Sequence, residues 1–475
     1  MRPKEVHLAP LSPARFKGLL DPEQWQEFEQ GIERARQLLT DRVVWNVNST
    51  AAGGGVAEML RSFVAYSRGA GLDVRWAVIE GTPDFFRLTK RLHNFVHGNP
   101  GDGGDLGEEE AAVYDAVSAE NAQEFVAAVR PQDVVILHDP QTAGLAGRVK
   151  KAGATVAWRS HIGVAKPNEL VRRAWTFLTP HLQEADVCIF SRLIYVPPHI
   201  GDVRTEVIAP SIDAFSPKNQ EMERATVLAI LFHVGLLGGQ APDDALPTFT
   251  RDDGSPGRVD HLAEVLSAGP VPTAATPLVA QVSRWDRLKD PLGVMLGFSE
   301  HVANNSDAQL VLAGPSVLSV ADDPEGTQVL NEVAGAWRGL PHASQSRVHL
   351  ASLPMFDIEE NAAIVNALQR HAAVVVQKSI EEGFGLTVAE AMWKSRPVVA
   401  SAVGGILEQI EHGVTGMLLE DPRDLEAFGA TTLRLLSEPD TAAAIGSNAH
   451  QRVKEHFLLN RHSLQYVRLF ESLLG

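Results

Sequence analysis

The chain has 475 residues, 44% hydrophobic and 21% charged, and a formal net charge of −17; the composition is globular and the length exceeds what one core fills, so two domains are expected. The acidic balance excludes nucleic acid or an anionic membrane surface as the main partner, since both need a basic footprint, and favours a small-molecule substrate. The one cysteine, Cys188, excludes an intrachain disulfide, and its VCIF setting reads as a buried strand thiol in a reducing compartment.

The opening segment MRPKEVHLAPLSPARF has no continuous apolar stretch of signal-peptide type. Residues 1–40 form an N-terminal extension, helical from Pro22 to Leu39. Short β-branched runs then recur: RVVWNVN (42–48), DVRWAVIE (73–80), DVVILHD (133–139), TVAWRSH (155–161), DVCIFSR (186–192) and TEVIAPS (205–211). Patterns able to form helices separate several of them, which indicates a parallel sheet covered on both faces. This predicts an N-terminal Rossmann-like domain over 41–212, on the acceptor side.

The longest apolar run, TVLAILFHVGLLGG (226–239), is broken by His233 and too short to cross a bilayer, so a cytoplasmic protein with no membrane partner is expected. Residues 238–276 are rich in Gly, Pro, Asp and Thr and are expected to include a mobile surface loop. A second strand series follows: PLVAQVSR (277–284), AQLVLAGPS (308–316), VHLASL (348–353), AAVVVQKS (372–379), PVVASAV (397–403) and TGMLLE (415–420). It predicts a second doubly wound domain over 213–455, on the nucleotide-sugar side, with a helix over 456–475 as a candidate to cross back to the first domain.

In open parallel sheets ligands collect at the carboxyl ends of strands. After the first strand, Gly53, Gly54 and Gly55 open a helix, offering backbone N–H groups and a helix dipole to an anion; a plain tight turn is the bland alternative. The spacing lacks the G-x-G-x-x-G fingerprint, which counts against a nicotinamide enzyme. In SRWDRLKDP, Arg284 and Lys289 are spaced to reach one phosphate from a short loop, or to pair locally with Asp286 and Asp290. In EEGFGLTVAE, Gly383 and Gly385 allow close backbone approach, Phe384 packs beneath, and Glu382 is available for hydroxyls. Thr387 to Glu390 fits a capping box, which offers Glu390 a purely structural role. Together these groups describe a nucleotide-sugar site in an interdomain cleft.

Glu382 through Leu386 to Glu390 resembles the E-x7-E motif of retaining GT-B glycosyltransferases of family four. Arg284, Lys289 and His161 stand where that family places its diphosphate-binding pair and active-site histidine. The segments VNSTAAGGGVAEML, RWAVIEGTPDFF, TKRLHNFVHGN, HDPQ, WRSHI and EGFGLTVAEAMWK are similar to the trehalose glycosyltransferring synthases within it. The resemblance implies a GT-B fold and a retaining transfer from UDP-, ADP- or GDP-glucose to glucose. It implies His161, Arg284, Lys289 and Glu382 as catalytic residues. The donor would be held by Gly54, Gly55, Arg284, Lys289, Glu382, Gly383, Phe384, Gly385, Leu386 and Glu390, with Glu390 on the ribose. Lys90, His93, Asn94 and Asp139 would take the acceptor. The chain has no Asp-x-Asp pair, in keeping with a metal-independent class without cofactor. Family precedent points to a homodimer. A trehalose phosphorylase, another disaccharide-forming transferase and a noncatalytic sugar-nucleotide sensor are the alternatives.

Overall fold

The computed structural model describes the chain except residues 2, 52–53, 199, 242–244 and 318–323. Gly53 of the glycine turn and part of the 238–276 segment therefore lie outside the described residues. Two units emerge, Met1–Ser211 with Leu459–Gly475, and Ile212–Leu458. Their strands in chain order are β1 (Lys4–Val6), β2 (Val44–Asn48), β3 (Val74–Val78), β4 (Val134–His138), β5 (Thr155–Ser160), β6 (Val187–Phe190) and β7 (Thr205–Val207) in the first unit. The second holds β8 (Thr248–Thr250), β9 (Pro256–Arg258), β10 (Glu264–Leu266), β11 (Leu278–Val282), β12 (Gln309–Pro315), β13 (Val348–Leu353), β14 (Val374–Gln377), β15 (Val398–Ser401) and β16 (Met417–Leu419).

The first unit is a seven-stranded sheet in the order β1-β3-β2-β4-β5-β6-β7, parallel throughout except for β1, which runs antiparallel on β3. Strands β2, β4 and β6 are buried along their whole length, as expected where helices cover both faces. The helix Pro22–Leu38 starts where Asp21 accepts from the Gln24 amide and the Gln24 side chain accepts from the Asp21 amide. It packs on the last helix, Leu459–Leu474: a Cβ at Gly31 would stand 2.3 Å from Leu464 Cδ2, so glycine sets the approach. Arg34 Nε lies 2.9 Å from Glu471 Oε1 along the same contact.

The second unit repeats the plan, in the order β10-β13-β12-β11-β14-β15-β16, with only β10 antiparallel. Its parallel strands, counted along the chain, run 3-2-1-4-5-6, the Rossmann order. Both units are thus doubly wound parallel sheets. The stretch expected to include a loop between 238 and 276 carries the hairpin β8–β9 and the edge strand β10. Side chains, not hydrophobic alternation, hold it: Arg251 reaches Asp357 at 2.6 Å and Glu359 at 2.7 Å, and Glu360 Oε1 accepts from the Asp260 and His261 amides, each at 2.7 Å.

Successive parallel strands leave in opposite directions from β2 in the first sheet and from β11 in the second. Helices cannot cover the carboxyl end of the sheet at such a point, which leaves a crevice beyond β2/β4 and another beyond β11/β14.

Candidate active site

At the second crevice, two loops are tied together. Gln281 near the end of β11 donates to the Lys289 carbonyl at 2.7 Å, and Gln377 at the end of β14 donates to Ser379 Oγ at 3.0 Å. Ser379 Oγ donates to Glu382 Oε2 at 3.2 Å, and Lys289 Nζ reaches the same oxygen at 2.5 Å. Beneath them, fully buried Lys378 pairs with Asp290 and donates to the Pro422 carbonyl at 2.6 Å. The Ile380 amide donates to the Leu288 carbonyl at 2.8 Å, which locks one loop onto the other. Glu382 is therefore not a lone carboxylate, as the sequence suggested. Arg284 stands half exposed and paired with Asp286 at 3.0 Å, whereas Lys289 turns away from Asp290 to Glu382.

The glycine loop has a firm seat. Phe384 is buried edge-on against Phe457, with ring centroids 5.7 Å apart. Gln409 Nε2 donates to the Phe384 carbonyl at 2.5 Å and to that of Gly385 at 3.2 Å. Gly385 adopts φ 83°, a left-handed conformation natural for glycine, at the N-terminus of the helix Leu386–Trp393, where no side chain caps. The capping box anticipated at Thr387 is thus absent: the helix begins at Leu386, which puts Glu390 in its second turn. Glu390 is 2% exposed; its Oε1 lies 3.3 Å from Lys218 Nζ, and its Oε2 has no hydrogen-bond partner among the described residues.

At the first crevice a buried relay surrounds His161. Arg159 Nε, which can only donate, lies 3.4 Å from His161 Nδ1. His161 Nε2–H then donates to His138 Nδ1 at 3.0 Å, and His138 Nε2–H to Asn46 Oδ1 at 3.1 Å. Burial first, and then the Arg159 charge, hold both imidazoles well below the ordinary histidine range, so both are neutral. His161 was expected beside a sugar, but both its ring nitrogens are engaged within the protein. Arg159, fully buried, also donates to Tyr466 Oη at 2.6 Å and to the Ile208 carbonyl at 3.2 Å.

Asp139 directly follows β4 at φ 63°, and its Oδ1 accepts the His161 amide at 2.8 Å. Burial pushes its carboxyl up to about 7, against the opposing pull of that N–H and of Arg159. Lys90, His93 and Asn94 share one face of the helix Pro83–Val96, with His97, which the sequence did not single out, tilted against His93 at a ring-centroid distance of 4.9 Å. Gly54, at φ 83°, is the N-cap of the helix Gly55–Gly69, again without a capping side chain. Among the described residues, no cluster of three His, Cys, Asp or Glu is placed to hold a metal ion, and no helix is long and apolar enough to cross a membrane.

Residues 46–197 match the family described as trehalose synthase, N-terminal domain, and residues 356–452 match glycosyl transferases group 1. A trehalose synthase of Thermococcus litoralis is 34% identical over 447 residues, covering 93% of each chain. The chain belongs to the trehalose synthase family. It is a trehalose-related glycosyltransferase. A trehalose phosphorylase of Pleurotus sajor-caju is a more distant relative of this trehalose synthase family member, 26% identical over 78% of the chain and 50% of its own length. The fold is that of GT-B enzymes: an α,α-trehalose-phosphate synthase of Burkholderia xenovorans, solved in complex with glucose-6-phosphate, superposes with a TM-score of 0.66 at 16% identity, over 91% of this chain and 100% of its own.

Proposed function

We propose that the chain makes trehalose by transferring glucose from a nucleoside-diphosphate glucose to glucose, with retention of configuration and without a metal. The observation that carries this reading is the Lys289–Glu382 pair, a cation and a hydroxyl acceptor locked side by side at a strand-end crevice. Lys289 and Arg284 would neutralise the diphosphate as it leaves with the electron pair of the C1–O bond, assisted by the uncapped helix behind Gly385. Glu382 would accept from the glucose hydroxyls and Glu390, through its unpartnered Oε2, from the ribose. The acceptor hydroxyl would attack the face being vacated and pass its proton to a diphosphate oxygen, so no protein nucleophile is needed. Asp139, Lys90, His93 and Asn94 are the acceptor-side candidates, with Gly54 and Gly55 offering N–H groups; His161 would serve a sugar by exchanging one of its ring partners.

The phosphorylase reading is favoured by one observation, the relatives of that name. One experiment separates the two: UDP-, ADP- and GDP-glucose are each offered with glucose, trehalose is offered with phosphate, and products are identified with and without EDTA. The proposal expects trehalose from at least one nucleotide donor, with EDTA causing at most a modest drop. Glucose 1-phosphate from trehalose and phosphate, with no nucleotide-dependent product, would overturn it, and a requirement for Mg2+ would overturn the metal-free mechanism.

A further inference from the structure

The second unit holds a cavity of about 450 Å3 whose lining includes Arg224, Arg370, His371, Lys394 and Arg396, and no acidic side chain. In a chain of net charge −17 such a gathering is unexpected. The cations are incompletely neutralised. Arg370 has one carboxylate partner, the exposed Glu221 at 2.9 Å. Among the described residues Arg396 donates to carbonyls alone, those of Lys394 at 3.1 Å and Ala372 at 3.3 Å. Arg224, exposed at the rim, has no hydrogen-bond or ion-pair partner among the described residues. Lys394 is a buried donor rather than a full cation: burial lowers its ammonium well below the ordinary lysine value, against the opposing pull of Glu390, and it donates to Asn219 Oδ1 at 3.0 Å and Gln369 Oε1 at 2.8 Å. His371 Nε2 is buried without a hydrogen-bond partner among the described residues. Burial lowers the His371 imidazole, and the Arg224 and Arg396 charges lower it further.

We infer that this cavity is a binding site for a phosphate dianion, carried free or on a small sugar, separate from the donor loops. Guanidinium forks suit phosphate oxygens bidentately, and the volume falls in the range of small-molecule sites. Pro277 and Leu278, at the amino end of β11, line the cavity, whereas Arg284 and Lys289 follow its carboxyl end. The strand between is roughly 16 Å long, which sets Pro277 and Leu278 well away from Arg284 and Lys289.

The test is calorimetric titration of the full chain with inorganic phosphate and, separately, with ribose 5-phosphate, using the native protein, Arg224→Ser and Lys289→Ala. Binding should be kept in Lys289→Ala and weakened about tenfold in Arg224→Ser, while Arg224→Ser keeps the basal kcat. Equal affinity for both probes would identify the free anion as sufficient; tighter ribose 5-phosphate would identify the sugar-borne form. Absence of heat with both probes in the millimolar range would overturn the inference. So would affinity lost in Lys289→Ala and kept in Arg224→Ser, which would assign the binding to the donor loops.

Discussion

Lys289 Nζ lies 2.5 Å from Glu382 Oε2, joining the loop after β11 to the loop after β14. If Lys289 faces a leaving diphosphate, as proposed, Lys289→Ala should lower kcat on the order of 100-fold, because the charge on that leaving group grows in the transition state. Glu382→Gln should lower turnover too, and the double variant should fall short of the summed effects because the two side chains share a contact. Steady-state kinetics with calorimetry of donor binding checks this; a rise in KM alone for Lys289→Ala would reassign Lys289 to ground-state binding.

Glu390 and Lys218 can be separated by stability. Lys218→Met leaves a buried carboxylate unpaired and should cost about 1–3 kcal/mol, recovered in large part when Glu390→Gln is added. Glu390→Gln alone should raise the donor KM while Tm barely moves. Unchanged donor kinetics in that variant would leave Glu390 a structural residue.

Asp139 predicts a pH dependence. Its carboxyl titrates at about 7 when folded and at about 3.9 when unfolded, so between those values the folded state holds a proton that the unfolded state has lost. Stability from this group is full below the lower value and declines as pH rises through the upper one. Asp139→Asn keeps an acceptor for the His161 amide and tolerates the left-handed backbone, but has no such decline. Urea unfolding at pH 5 and pH 8 should show the variant gaining on the native protein at the higher pH; equal differences at the two pH values would refute the assignment.

Gly405 is a packing glycine. A Cβ there would stand 2.6 Å from Phe384 Cα and 2.9 Å from the Gly383 carbonyl oxygen, backbone atoms with no room to yield. Gly405→Ala should cost about 1–3 kcal/mol of stability and displace the glycine loop, raising the donor KM more than the acceptor KM. Measurement of both KM values, with Tm alongside, decides it.

The parallel strands of both sheets were legible because strands buried on both faces read as unbroken apolar runs. The antiparallel edges β1 and β10 were not, since KEV and EVL are three-residue segments without a β-branched apolar run around them. Of the site, the acids, cations and glycines were found as motifs, but their partners were not: Lys378, Asp290 and Lys218 act across long sequence separations. A local signal did exist. Asn46, His138, Arg159, Gln281 and Gln377 are polar residues inside largely apolar strands, all within two residues of the carboxyl end, where burial is costly without a designated partner. The capping box misled because Thr387 and Glu390 fit a local rule while the backbone at Gly385 had already begun the helix.

The first unit closes with Leu459–Gly475, and Tyr466 in that last helix supplies the hydroxyl that buried Arg159 needs. During synthesis, then, the half of the protein made first is the half that finishes last. The intervening 212–458 is contiguous and can fold as it leaves the ribosome, whereas the Arg159 guanidinium must wait for the C-terminus. A nascent chain stalled before Leu459 would present a folded second unit beside an unfinished first one, a state that protease protection of truncated nascent chains would reveal.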